Sequence, residues 1–292
     1  MKKSNSSSLY HKHVRVKDSA LRIFIFVCAA ITVFVAAVIL LHILIKGVPG
    51  ITWEFISSTY SSTKSGSKGI LPMIINTLYV VLVTLLISTP IGIGCAIYLT
   101  QYAKQGKLVK AIRFTTEVLS GIPSIIFGLF GYSFFCILFN LQYSILAGCL
   151  TMALCILPTI IRTTEEAILA VPTSYKEGAM ALGASKLRVI FGIIIPCSMP
   201  GILTAIILAM GRIVGETAAL LFTVGISGFQ LPENLFGHLF DQGCTLSLFL
   251  YKSAMEGKDP IGVPYATAAV LLILVFLLNR IASLTAKLFK KG

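Results

Sequence analysis

Long uncharged apolar stretches alternate with short charged ones along the whole chain. A helix needs roughly 20 apolar residues to cross about 30 Å of hydrocarbon. Six stretches come close to that length or exceed it: 23–45, 70–99, 118–139, 143–161, 192–226, and 263–279 with a few flanking residues. The third and fourth are joined only by the polar corner Asn140 to Gln142, which predicts an antiparallel hairpin. Prolines 90, 123, 158, 196 and 200 lie in or beside spans, where they kink helices and leave backbone groups for neighbours to satisfy. The pattern predicts an all-α polytopic membrane protein with six transmembrane helices.

Composition agrees. Only 12% of the 292 residues are charged and 56% are hydrophobic, whereas a soluble domain carries about 25% charged residues. The net charge of +13 is unevenly placed. Eighteen of the 24 Lys and Arg fall before the first span, after the second, after the fourth and after the sixth, five fall in the other two loops, and Arg212 lies within the fifth span. Cytoplasmic ends hold the excess of positive residues, so both termini are placed in the cytoplasm. Subtracting the acidic residues leaves +13 on the inner face and zero on the outer. The basic balance therefore expresses topology and attraction to anionic membrane lipid, not nucleic-acid binding. The first span is read as a retained anchor, because 23 apolar residues is long for a signal peptide and no A-x-A cleavage site follows.

Seven cysteines without C-x-x-C spacing suggest neither a disulfide framework nor a zinc site. Two outer loops are long, 46–69 and about 227–262. Each is either a docking surface for an extracytoplasmic partner or a solvated connector.

The inner loop at about 162–191 has a different character. Glu177-Gly178-Ala179-Met180-Ala181-Leu182-Gly183 reads as a short helix stopped near Gly183, where glycine takes the left-handed cap conformation. Glu177, Gly178, Ala179, three residues, Gly183, nine residues and then Ile193-Ile194-Ile195-Pro196 resemble the E-A-A-x3-G-x9-I-x-L-P motif of ABC-importer permeases. Gly178 replaces the first Ala of that motif and Ile195 its Leu. The resemblance implies a type I ABC importer permease fold. It makes residues 21–290 the permease domain, 1–20 a basic cytoplasmic tail, and Glu177, Gly178, Ala179 and Gly183 part of a helix that couples the spans to a separate ATP-binding subunit. The sequence contains no G-x4-G-K-[ST] phosphate loop. The chain is expected to have no ATPase activity or cofactor of its own, with ATP used by a partner.

Arg212 and Glu216 are four residues apart in an otherwise apolar span, a spacing that puts them on one helix face. Charged groups in such spans are costly and usually face a cavity or each other. Arg212 lies about 24 Å along the helix from Pro196, at or beyond the bilayer middle on the outer side. Its planar fork of donors suits an oxyanion. A buried carboxylate acceptor beside it would favour an anion that keeps an O–H, as phosphate does and sulfate does not. The other reading of these residues is a structural ion pair.

Gly211-Arg212-Ile213-Val214-Gly215-Glu216-Thr217-Ala218-Ala219-Leu220-Leu221-Phe222-Thr223 resembles the signature of phosphate-specific ABC permeases, nearer to the PstA type than to its paralogous PstC type. Ile70-Leu71-Pro72 with Asn76-Thr77-Leu78, Gly121-Ile122-Pro123-Ser124, and Arg162-Thr163-Thr164-Glu165 agree with it. The resemblance covers about residues 20–285. It implies that Arg212 and Glu216, with Thr217 beside them, lie on the phosphate path of a permease subunit in a bacterial inner or plasma membrane. It also implies a PstC-like permease, two PstB-like ATP-binding subunits and a PstS-like phosphate-binding protein as partners. A permease for another tetrahedral oxyanion, or a secondary transporter or channel, is the alternative function.

Overall fold

A computed structural model describes residues 16–60, 69–104, 106–232, 234, 236–256 and 262–289. Most of the basic tail 1–20, and Lys64, Lys68, Glu233, Lys258, Asp259, Lys290 and Lys291 of the charge reading, lie outside the described residues. The chain divides into two units, residues 1–45 and 46–292.

The first unit contains nearly all of helix α1 (Val16–Gly47), which is apolar over the whole predicted first span. In the second unit a short helix α2 (Trp53–Ser57) precedes α3 (Leu71–Ile97), which runs into a π-helical turn at Tyr98–Tyr102. Helices α4 (Lys107–Gly121) and α5 (Ser124–Gly131) follow, and α5 continues as a wide π-helical segment, Tyr132–Leu138. The remaining helices are α6 (Ile145–Leu169), α7 (Thr173–Ala181), α8 (Lys186–Val189), α9 (Ile195–Gly215), α10 (Ala218–Thr223), α11 (Leu246–Glu256) and α12 (Val263–Phe289). Among the described residues, five helices are long and apolar enough to cross a membrane, and a sixth span results if the bent pair α4 and α5 counts as one.

The centre of this unit is α6, which packs against α3, α4, α5, α9 and α10. Its residues Cys149, Met152, Ile156 and Ile160 are sealed from solvent, alongside Val80 and Val81 of α3 and Ala209 and Ile213 of α9. Lipid tails are as apolar as leucine, so close packing rather than water exclusion holds such helices together, and small residues permit it. A methyl group on Gly131 would sit 2.1 Å from Thr151 Oγ1, and one on Gly128 would sit 2.9 Å from Ala219 Cα. Those two glycines set how closely α5 approaches α6 and α10, whereas Gly94 faces open space.

The predicted hairpin corner is present. Asn140 and Gln142 take left-handed φ values of 54° and 51°, and Ser144 Oγ caps α6 by accepting from Ala147 N at 3.2 Å.

Three predicted elements need correction. The stretch 118–139 is not one straight span. Pro123 forces extended backbone on Ile122 (φ −74°, ψ 130°), and α4 meets the α5 segment at 103°. The stretch 192–226 is interrupted after Gly215. The outer loop 227–262 is not all loop, because α11 folds back with Leu246, Ser247, Leu248 and Phe249 buried.

Polar groups tie that returning segment to α3. Asn76 Nδ2 donates to the carbonyls of Gly228 and Cys244, both at 3.3 Å, and its Oδ1 lies 2.7 Å from His238 Nε2. The hydroxyl of Thr77 accepts from Leu246 N at 2.9 Å and donates to Met73 O. Burial pushes the Cys244 thiol, next to this junction, up to about 12, so it stays protonated. Asn76→Leu would strand the buried Cys244 carbonyl, the part-buried Gly228 carbonyl and His238. A loss of about 1–3 kcal/mol is expected, read as a lower thermal-unfolding midpoint of the detergent-solubilised protein; an unchanged midpoint would show that this junction contributes nothing.

Candidate functional site

Helix α9 begins in the proline-rich run Pro196 to Pro200, preceded by a π-helical turn at Ile190–Ile194. Pro196 has no N–H to give the preceding turn, and a wider turn accommodates the gap in the ladder. From there the helix runs unbroken to Gly215 and places Arg212 in its last turn. Glu216 then turns extended (φ −74°, ψ 127°), and α10 restarts at Ala218.

Arg212 and Glu216 therefore do not share one helix face, because the helix ends between them. No carboxylate lies within 4.0 Å of the Arg212 guanidinium among the described residues, so the structural ion pair is not formed. Both residues are half-buried. Cys155, on the central helix α6, lies within interaction range of both charges.

The break at the outer end of the 186–215 span leaves peptide groups without helical partners. Here the chain supplies the partners. Glu216 Oε1 accepts from Ala219 N at 3.3 Å, capping α10 with its own side chain. The Glu216 carbonyl accepts from Ser247 Oγ at 2.7 Å, and Ser247 Oγ lies 3.0 Å from Thr245 Oγ1. Thr245 Oγ1 in turn accepts from Leu248 N at 3.4 Å and starts α11. Thr217 is the residue that precedes α10, and its carbonyl accepts from Leu221 N at 2.9 Å. The arrangement presents a guanidinium without a carboxylate partner and one uncommitted carboxylate oxygen on either side of a broken helix. It can hold an oxyanion by charge-assisted hydrogen bonds and accept a proton-bearing oxygen from it.

Ser247, Thr245, Asn76 and His238 were not legible as parts of this arrangement. The available signal was the Thr245-Leu246-Ser247 run, a capping residue ahead of an apolar turn.

The second cluster is the inner loop. Helix α7 holds Glu177, Gly178 and Ala179 and stops as predicted. Gly183 has φ +83°, its N–H bonds Met180 O at 3.0 Å, and Ala184 N bonds Ala179 O at 3.0 Å, the paired closing bonds of a Schellman cap. Leu182 is 91% exposed beside Met180 and Tyr175, and no atom lies near a methyl group placed on Gly178. Ile168, Val189, Ile190 and Ile194 pack with Ala96 and the half-buried Ala179 and Ala184 beneath it. Lys176 Nζ donates to Gln101 Oε1 at 3.1 Å, and the Lys186 ammonium sits 4.4 Å from the Tyr102 ring centre. The loop is thus fastened to the end of α3 while an apolar and small-residue face stays uncovered.

Five helices long and apolar enough to cross a membrane, or six with the bent pair, describe a multi-pass membrane protein. Residues 88–291 match the model of the "Binding-protein-dependent transport system inner membrane component" family, and the chain belongs to that family. It is 35% identical to a probable ABC transporter permease protein, YqgI, of Bacillus subtilis, over 90% of this chain and 93% of that one. It is 37% identical to the phosphate transport system permease protein PstA of Yersinia pestis (84% and 81% covered), and 34% identical to that of Haemophilus influenzae (82% and 83%). Among solved structures, a bacterial ABC transporter involved in alginate import aligns with TM-score 0.63 at 15% identity, over 94% of this chain and 98% of that one. The MetNI methionine ABC transporter aligns with TM-score 0.59 at 20% identity, over 76% and 94%. These two establish the type I ABC importer permease fold.

Removing the Ser247 hydroxyl takes away the side-chain donor to the Glu216 carbonyl at the break. Ser247→Ala is expected to cost about 1–2 kcal/mol, and Ser247→Thr to restore most of it, both measured as thermal-unfolding midpoints; equal midpoints for all three proteins would remove Ser247 from the support of the break.

Proposed function

We propose that the chain is the permease subunit of an ATP-driven inorganic phosphate importer, and that Arg212, Glu216 and Thr217 line its anion path. The observation that carries this reading is the guanidinium of Arg212, half-buried in a membrane helix and without a carboxylate partner, next to a helix break held open by Ser247 and Ala219. A cation left unpaired in such a place is costly unless an anion visits it. Relatives that are themselves phosphate transport system permeases supply the substrate.

In this reading phosphate meets the Arg212 fork, and the Glu216 oxygen not used by Ala219 accepts the phosphate O–H. Sulfate, with no proton to offer, would leave two negative groups facing each other. The path is completed by a PstC-like permease, and a PstS-like protein delivers phosphate from outside. Both termini face the cytoplasm, residues 21–290 form the permease domain, and residues 1–20 are a basic tail.

ATP is hydrolysed by two PstB-like subunits and not by this chain, which binds no cofactor. The uncovered face of α7, with Glu177, Gly178, Ala179 and the Gly183 cap, enters a cleft on one of them. Because α7 and the following α8 are tied through Lys176 and Lys186 to the π-helical turn that ends α3, movement of the cleft reaches the spans through these contacts.

Arg212→Gln is expected to abolish radiolabelled phosphate uptake in cells while the assembled complex is still recovered. Normal uptake would take Arg212 off the path. Gly183→Leu places a side chain at φ +83°, which costs about 1–2 kcal/mol and loosens the cap. Assembled complex that hydrolyses ATP with phosphate uptake reduced about tenfold is expected; full coupled uptake would overturn the role of this loop.

A further inference from the structure

The elbow between α4 and α5 holds two cavities that the anion path does not use. The first, about 410 Å³, lies inside the 103° bend and is lined by Leu119, Ile126, Phe130, Leu154 and Leu157 with almost no polar surface. The second, about 360 Å³, is lined by Arg113, Glu117, Ser120, Thr159, Arg162 and Thr163. Thr116, Pro158 and Ile161 line both, so the two form one amphipathic recess. Each is in the size range of small-molecule sites, which runs from roughly 300 to 1,000 Å³.

The charges in the polar half are unequally committed. Arg113 is taken by Glu165 at 2.5 Å. Arg162 pairs with Glu166 one turn on, Nε to Oε1 at 3.5 Å, with both side chains 68% exposed, a weak surface pair that a phosphate can displace. The carboxylate of Glu117 has no ion-pair partner among the described residues. The recess therefore offers one loosely paired guanidinium, one exposed carboxylate without an ion-pair partner and several hydroxyls beside an apolar cavity.

Its depth is equally specific. Arg162 lies 17 residues into α6 from Ile145, or about 25 Å along the helix axis, close to the hydrocarbon thickness of about 30 Å. It therefore sits at head-group level on the side that the positive residues mark as cytoplasmic. The wall of the recess is α4, whose Lys107, Lys110 and Arg113 lie on a helix that also exposes Leu108, Phe114 and Val118, the pattern of a helix lying in the interface.

We propose that this elbow binds one phospholipid whose head group carries an ammonium, as in phosphatidylethanolamine. One acyl chain fills the apolar cavity, the phosphate meets the Arg162 amino groups, and the ammonium meets Glu117. The charge pattern selects this lipid: a glycerol head group would leave Glu117 unpaired beside a second anion, and free phosphate has nothing to fill the apolar half. A lipid there wedges the α4–α5 bend and ties its angle to the inner leaflet.

The test uses the assembled transporter in nanodiscs holding equal parts phosphatidylethanolamine and phosphatidylglycerol, with lipid retained after detergent transfer counted by native mass spectrometry. One retained phosphatidylethanolamine per copy of this chain is expected. Arg162→Gln and Glu117→Gln should each weaken retention about tenfold, the loss of one charged hydrogen bond. Leu157→Trp, which fills the apolar half, should abolish it. Equal retention of both lipids, or retention unchanged in the two head-group variants, would overturn the proposal. So would a Leu157→Cys variant that cross-links to another subunit, since that would make the recess a protein interface.

Discussion

A helix can stop only where the peptide groups it releases find partners, and the break after Gly215, at the end of the 186–215 span, depends on that condition. Three bonds serve it: Ser247 Oγ to the Glu216 carbonyl, Glu216 N to the Ile213 carbonyl, and Ala219 N to Glu216 Oε1. The first requires α11 to fold back into the bundle, which in turn requires Thr77 to receive Leu246 N and Asn76 to hold the carbonyls of Gly228 and Cys244. The position of Arg212 and Glu216 is thus set from α3 and α11 as much as from their own helix. Close approach of α5 to α10 at Gly128 fixes the far side of the break.

The inner loop meets its requirement differently. It lies among polar groups, so its backbone needs no buried rescue, and its stiffness comes from local devices: the Gly183 cap, the small cluster around Ile168 and Val189, and the contacts of Lys176 and Lys186 with the end of α3. One end of α3 thus supports the break and the other supports the loop. A single helix connects the proposed anion site with the proposed docking face.

What could be read in the sequence follows from the range of the interactions. The Gly183 cap, the Asn140 to Gln142 corner and the existence of the apolar spans depend on residues a few positions apart, and all three were legible. The break at Glu216 was not, because the run 192–226 stays apolar on both sides and the stabilising hydroxyl, Ser247, is 31 residues away. Spacing alone suggested an Arg212–Glu216 pair on one face; the extended backbone at Glu216 removes it. The bend at Ile122 had a local sign in Pro123. Reading it as a sharp elbow also required the amphipathic character of α4, whose charged residues Lys107, Lys110, Arg113 and Glu117 precede the apolar run. The return of α11 depends on docking against α3, which no local pattern records.

The most direct test of the account is transport by purified components: the chain reconstituted with the proposed permease and ATPase partners in vesicles, the proposed binding protein and radiolabelled phosphate on one side, ATP on the side of α7. The account predicts phosphate accumulation that requires ATP and is competed by unlabelled phosphate but not by sulfate. Accumulation of sulfate in preference to phosphate, or phosphate movement that proceeds equally without ATP, would contradict it.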